Sequence, residues 1–183
     1  MDRDYTTLRL RDRIAPGVRV LFVGINPGVR SALTGHHFAG PSNRFWKLLY
    51  ESALVPDPIT FVDDDRLPEF GYGITNIVPR PTPGINDLRP EEYKAGARAL
   101  VRKISKHRPQ VVALVGVTVW RALLEAMGEK DAKTRKVTLG FQDRLAGTRL
   151  FVLPNPSGRN ANYSYTEMLA AFRKLKRGLE TPD

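Results

Sequence analysis

Hydrophobic positions along the chain fall into two kinds of segment. Four short runs, Val18–Val23, Ile74–Val78, Val111–Val115 and Leu150–Leu153, are rich in Val, Ile and Leu and are bounded by Gly or Pro. Apolar runs of this length without regular alternation read as strands covered on both faces. Between them the spacing turns helical. Pro90–His107 places Tyr93, Ala97, Leu100, Val101 and Ile104 on one stripe and Lys94, Arg98, Arg102, Lys103 and Lys106 on the other. Ser42–Ala53 and Thr118–Met127 are two further helices. Tyr165–Leu175 is a fourth, with Ser164 and Glu167 as a capping box and Met168, Leu169, Phe172 and Leu175 as its apolar face. Val137–Arg149 is expected to add a hairpin or edge piece, 128–136 an exposed loop, and 1–16 a polar lead-in that frays.

Alternating strands and helices of this kind predict an α/β fold with a short, mostly parallel central sheet. No repeat or linker divides the 183 residues, so one domain is expected. In open α/β sheets, ligands sit beyond the carboxyl ends of the strands. That directs attention to the loops 24–43, 79–89, 116–118 and 154–163.

Composition narrows the chemistry. The chain has no cysteine, which excludes disulfides, thiolate metal sites, iron–sulfur clusters and a cysteine nucleophile. Three histidines in all make a metal site improbable, and neither a metal nor a cofactor is expected. Lys plus Arg number 29 against 19 Asp plus Glu, a net charge of +10 that favours a polyanion, with nucleic acid foremost. The N-terminus is charged and lacks the apolar core of a secretory signal. No apolar run approaches the roughly 18 residues a membrane span needs. An intracellular monomer is expected.

Two of the loops repeat one pattern. The first strand runs into Gly24-Ile-Asn26-Pro-Gly28, and the last into Pro154-Asn155-Pro-Ser157-Gly158. The residue before proline avoids the helical region, so each asparagine is held extended at a strand's end with its amide on offer. Each could also be an ordinary turn. These two motifs, with TGHHFAGPSNRFWKLLY between them and Gly73-Ile-Thr-Asn76-Ile-Val and Arg80-Pro-Thr82 further on, resemble the mismatch-specific uracil-DNA glycosylase and thymine-DNA glycosylase family. The likeness runs from about residue 18 to 175.

The resemblance implies a uracil-DNA glycosylase-like α/β/α fold and hydrolysis of the N-glycosidic bond of uracil in mismatched duplex DNA. Thymine opposite guanine and etheno-adducted bases are further candidates. It implies that Asn26 positions the attacking water and that Phe38 stacks on a flipped base. Gly24, Ile25, Gly28, Asn76, Asn155 and Ser157 would form the base pocket, with backbone N–H groups near Ile25 and Gly28 facing the departing base. Asn43, Arg44, Gly158, Arg159 and Asn160 would contact DNA. An amide is no strong base, so Asp87 enters as a candidate helper carboxylate, with the N-cap of the following segment or a surface turn residue as its plain alternatives. Asp63–Asp65 read as a solvated loop.

Two departures stand out. Asn155 occupies the place where more efficient uracil-specific relatives carry a histidine, and Arg159 the place of an apolar wedge. The second puts strict dependence on an opposing guanine in doubt. A non-catalytic nucleic-acid-binding module is the competing reading. A glycosidase for free nucleosides ranks behind both, because it needs neither the basic surface nor the 158–163 loop.

Overall fold

A computed structural model describes residues 4–181. Five strands form one sheet in the order β2-β1-β3-β5-β4, with β1 Val20–Gly24, β2 Tyr72–Asn76, β3 Val111–Val115, β4 Gly140–Leu145 and β5 Thr148–Leu153. The first four in that order are parallel, and β4 runs antiparallel along β5 as the edge piece expected of 137–149.

The absence of a polar face along the apolar runs has a direct structural cause. Alternate side chains enter two separate cores. Val20, Phe22, Val111, Ala113, Phe151 and Leu153 pack on one side of the sheet with Phe45, Trp46, Leu48 and Phe172. Leu21, Val23, Val112, Leu114, Leu150 and Val152 pack on the other with Leu100, Ile104, Trp120 and Leu123. Both faces are dry, so both must be apolar. The helices are α1 Val29–Thr34, α2 Phe45–Glu51, α3 Pro90–His107, α4 Val117–Ala126 and α5 Tyr165–Glu180. Helices α2 and α5 cover the first face, and α3 and α4 the second. The result is the three-layer α/β/α arrangement read from the sequence.

Several expected boundaries move. The second strand starts earlier and ends at Asn76, yet Ile77 N–H and Val78 N–H still donate to Gly24 O and Ile25 O at 2.9 and 2.8 Å. The two chains therefore stay paired where they enter the candidate loops. Helix α2 is only two turns long, because Asn43 Oδ1 accepts from Phe45 N–H and opens it three residues late. Helix α5 runs five residues further, and its capping box closes as expected, with Glu167 N–H on Ser164 Oγ at 3.2 Å and Ser164 N–H on Glu167 Oε2 at 2.7 Å.

Two expectations are overturned. The lead-in is tied to the fold from Leu10 onward (residues 1–3 lie outside the described residues). Arg13 exchanges backbone hydrogen bonds with Ile74 at 3.0 and 2.8 Å, and Leu10 is buried. Nor is the aspartate run a solvated loop. It lies in a 3-10 segment, Phe61–Phe70, and Asp64 is fully buried. Its carboxylate takes Arg13 Nε at 3.2 Å, His36 Nδ1 at 2.9 Å and the His37 N–H at 2.9 Å, which repays the cost of burying the charge. Lead-in and first loop are thereby tied to one anion.

Candidate active site

At the carboxyl edge of the sheet, the ends of β1, β2 and β3 and the loop after β5 enclose a cavity of about 260 Å³. That is small for a ligand cleft and suits one flat ring. Gly24, Ile25, Asn26, Gly28, Phe38, Asn43, Asn76, Gly116 and Asn155 all line it. Asparagines 26 and 155, separated by most of the chain, therefore share one wall.

The orientation of Asn26 follows from donor and acceptor rules. Its Nδ2 donates to Arg80 O at 3.0 Å and to Thr82 Oγ1 at 2.7 Å. A carbonyl can only accept, so the NH2 end must face Arg80. The single hydroxyl hydrogen of Thr82 goes to Gly84 O at 2.6 Å, which leaves Thr82 Oγ1 as an acceptor toward Asn26. Both amide hydrogens are thus committed to the protein. The oxygen is the atom Asn26 has left to offer, and an oxygen accepts a hydrogen bond from water.

Asn76 is oriented from the opposite side. His37 is buried, and its Nε2 lies 2.9 Å from Arg11 O, so that nitrogen carries the proton. Burial holds the imidazole below its usual pKa despite the Arg11 carbonyl and nearby Asp64, which favour the cation. The neutral ring leaves Nδ1 as an acceptor for Asn76 Nδ2 at 3.5 Å, a long bond. The Asn76 oxygen then sits against Gly24, where an added Cβ would come within 2.6 Å of it. Glycine at 24 is required by this close approach.

Phe38 bridges wall and core. Its φ is 49°, a strained value for an aromatic residue, and its ring stacks on Phe45 at 4.4 Å with a 33° tilt. The ring is backed by the core and also lines the cavity. The Trp46 Nε1–H donates to His37 O at 3.2 Å and fixes the same loop from beneath.

The two motif loops are zipped together. Arg44 N–H donates to Pro156 O at 2.9 Å, and Asn43 and Ser157 form an isolated antiparallel bridge. Gly158 passes so close to Ser42 that a Cβ would lie 2.7 Å from its carbonyl oxygen. Ser157, Arg159 and Asn160 line an adjoining groove rather than the cavity itself. Arg159 is exposed there, and Arg44 lies over the Tyr165 ring at 5.7 Å.

Asp87 stands apart. It belongs to a 3-10 turn, Ile85–Asp87, is exposed, and is absent from the cavity wall. Its Oδ2 accepts from Gly84 N–H at 3.1 Å, which closes its own surface turn, while the position before the following helix is Arg89. The structure does not bring this carboxylate to the place where a water on Asn26 would sit.

Sequence reading singled out neither Thr82 nor Gly116 and Thr118 for a role. Only tertiary contact pairs Thr82 with Asn26, although the short Arg80-Pro-Thr82 motif marked the place. Gly116, with φ 123°, lets the β3 end pass Asn155 and was foreshadowed only as a loop to inspect. Among the described residues, no group of three or more His, Asp or Glu side chains could hold a metal ion.

Comparison with known proteins bears on the fold and on the family. The solution NMR structure of a candidate uracil DNA glycosylase from Methanosarcina acetivorans superimposes with a TM-score of 0.59 at 14% identity, covering 95% of this chain and 98% of that one. At such identity the likeness speaks for the fold. The family model of the uracil DNA glycosylase superfamily matches residues 12–177, nearly the full length and every cavity-lining residue but Leu10. This chain belongs to the uracil DNA glycosylase superfamily.

Proposed function

We propose that the protein is a monofunctional DNA glycosylase that removes uracil from mismatched duplex DNA, with thymine and etheno-adducted bases as further substrates. The observation that carries this reading is the Asn26 amide, whose hydrogens are both spent on Arg80 O and Thr82 Oγ1. A water donating to Asn26 Oδ1 keeps a lone pair free to attack. The target base is stacked inside a duplex, so the nucleotide must turn out into the cavity. The ring enters beside Phe38, and its polar edge meets Asn76. The C1′–N1 bond breaks as cationic character grows on the sugar, and the bonding pair leaves with the base. Water oxygen then bonds C1′, and its proton passes to solvent. The products are free base and an abasic site.

Among the described residues no carboxylate lines the cavity, so the leaving ability of the base carries much of the burden and turnover is slow. Asn155 in place of a histidine removes a group that could polarise the base, in keeping with the mismatch-specific branch. Outside the cavity, Arg44, Arg159 and Asn160 would face phosphate or the gap left in the stack. The +10 charge supports backbone binding.

The test is an alkaline-cleavage assay on end-labelled U·G, U·A, T·G and single-stranded uracil oligonucleotides, with chelator present. Uracil release from U·G, fastest among the duplexes, is the expected outcome. Retained, salt-dependent DNA binding with no base released from any substrate would overturn the enzyme reading in favour of a binding module.

A further inference from the structure

We infer that Asp87 and Glu92 are positioning residues for the hydrolytic step, fixing the direction of the Asn26 amide through Gly84–Thr82 and through Arg80. The inference rests on the reading of Asn26 as the water-holding group.

Two chains of contacts lead to that amide. In the first, Asp87 grips Gly84 twice. Its Oδ2 accepts from Gly84 N–H at 3.1 Å, and its own N–H reaches Gly84 O at 3.3 Å. Gly84 O takes the Thr82 hydroxyl hydrogen at 2.6 Å, and Thr82 Oγ1 therefore accepts from Asn26. Each bond in the series has only one possible direction, because a carbonyl cannot donate and a hydroxyl has one hydrogen. Were Gly84 O to move away, Thr82 could turn its hydrogen toward Asn26. The amide would then lose one of the two acceptors that keep its oxygen outward, with Arg80 O as the other.

The second chain starts at a long helix. Glu92 takes Arg80 Nε and Nη2 at 2.8 Å each, a bidentate pair, and also accepts the Arg89 N–H at 2.9 Å at the start of α3. Arg80 Nη2 donates in addition to Asp87 O at 3.0 Å. The guanidinium is thus held on two sides, and the Arg80 carbonyl behind it receives the other Asn26 hydrogen. Helix α3 is a firm reference, since Gly96 lets it lie directly on Ile77 O, where a Cβ would come within 2.3 Å. A residue at the tip of β1 is in this way aligned against an 18-residue helix.

Asp87 touches neither the cavity nor Asn26, which separates positioning from proton transfer in a simple experiment. Asp87→Asn keeps an oxygen for the Gly84 N–H but removes the basicity, whereas Asp87→Ala removes both. Single-turnover uracil release is measured for both, together with affinity for the U·G duplex under non-turnover conditions. Positioning predicts that Asp87→Asn stays within about threefold of wild type, because a neutral acceptor still completes the bond. Asp87→Ala and Glu92→Ala fall about tenfold or more in rate with affinity unchanged, as expected when a reacting group is misaligned. The Asn26 side-chain NH2 signals in a nitrogen-15 NMR spectrum give a second readout that needs no activity. Their exchange with solvent stays slow in wild type and Asp87→Asn and quickens in Asp87→Ala. Loss of activity in Asp87→Asn equal to that in Asp87→Ala, with an acid limb of the pH–rate profile lost in both, would make Asp87 a base and overturn the inference. So would an Asp87→Ala variant with wild-type rate and slow amide exchange. A wild-type protein that releases no base sinks the glycosylase reading instead, and the exchange rates still decide the positioning claim.

Discussion

The loops after β2 and after β5 both border the cavity, yet they are built on opposite plans. The segment 79–88 is tied to distant parts of the chain: to Asn26 through Arg80 O and Thr82, to Pro27 O through the Thr82 N–H at 3.2 Å, and to α3 through Glu92. The segment 154–163 is anchored to the 42–44 loop only at its beginning. Past Gly158 its hydrogen bonds are local: Arg159 N–H to Ser157 Oγ, Asn160 Nδ2 to Asn155 O and Asn162 N–H to Asn160 Oδ1. Alignment of a reacting group tolerates little error, so the first loop is cross-braced. A surface that must follow a deformed duplex gains from local bonding that can yield. On the proposed function, the chemical end of the cavity is the cross-braced one and the DNA-reading end the locally bonded one.

The sharpest way to break that division is at its centre. Asn26→Ala removes the water acceptor and is expected to lower single-turnover uracil release about a hundredfold to a thousandfold with little loss of DNA affinity, the size of effect seen when one preorganised polar group is removed. An unchanged rate would mean that the water sits elsewhere.

A smaller effect is expected at Gly24. Its added methyl would press on the Asn76 oxygen at 2.6 Å and approach the Phe38 ring at 3.5 Å. Gly24→Ala should therefore weaken base capture and raise KM for the uracil duplex about tenfold, as for a buried polar group pushed off its partner. Equal activity in the two proteins would show that Asn76 does not contact the base.

Arg159 tests the yielding loop. Arg159→Ala should leave the single-turnover rate nearly unchanged and reduce the slope of log affinity against log salt by about one, if the guanidinium meets a phosphate. Loss of catalysis with an unchanged salt slope would instead mark a wedge acting on the flipped state.

The mildest effect is on stability. His37 is held below its ordinary pKa of 6.5 in the fold by burial, so the unfolded chain binds the proton first. That predicts a melting temperature that declines as pH falls through 6.5, and a His37→Gln variant without that upper stage. The Arg80 guanidinium beside Glu92 lowers its pKa from 4.5 to about 2, so its contribution is present above 4.5 and fades toward 2. A melting temperature insensitive to pH between 7 and 5 would argue against a buried neutral His37.

Much of the scaffold was legible in the residues. The runs 111–115 and 90–107 became β3 and α3 without adjustment, because an unbroken Val/Leu run and a long 3.6-residue stripe each admit one buried geometry. The lead-in misled because its tethers, backbone pairing of Arg13 with Ile74 and the Arg13 side chain on Asp64, are tertiary and leave no pattern in the local sequence. The aspartate run misled because three adjacent charges usually seek water, and only the arrival of Arg13, His36 and the His37 N–H makes Asp64 welcome inside. Asp87 was noticed for its location near the sheet edge, but direction of approach decides contact, and its carboxylate points back to Gly84.

By itself the sequence placed two asparagines after strands on one edge of a parallel sheet, since proline restricts the backbone before it and the alternation of apolar runs with helices implies parallel strands. Which atom of the Asn26 amide faces the cavity was decided only by tertiary structure. An amide is chemically two-ended, and the choice of end depends on carbonyls and hydroxyls brought in from 50 or more residues away, such as Arg80 O and Thr82 Oγ1 against Asn26.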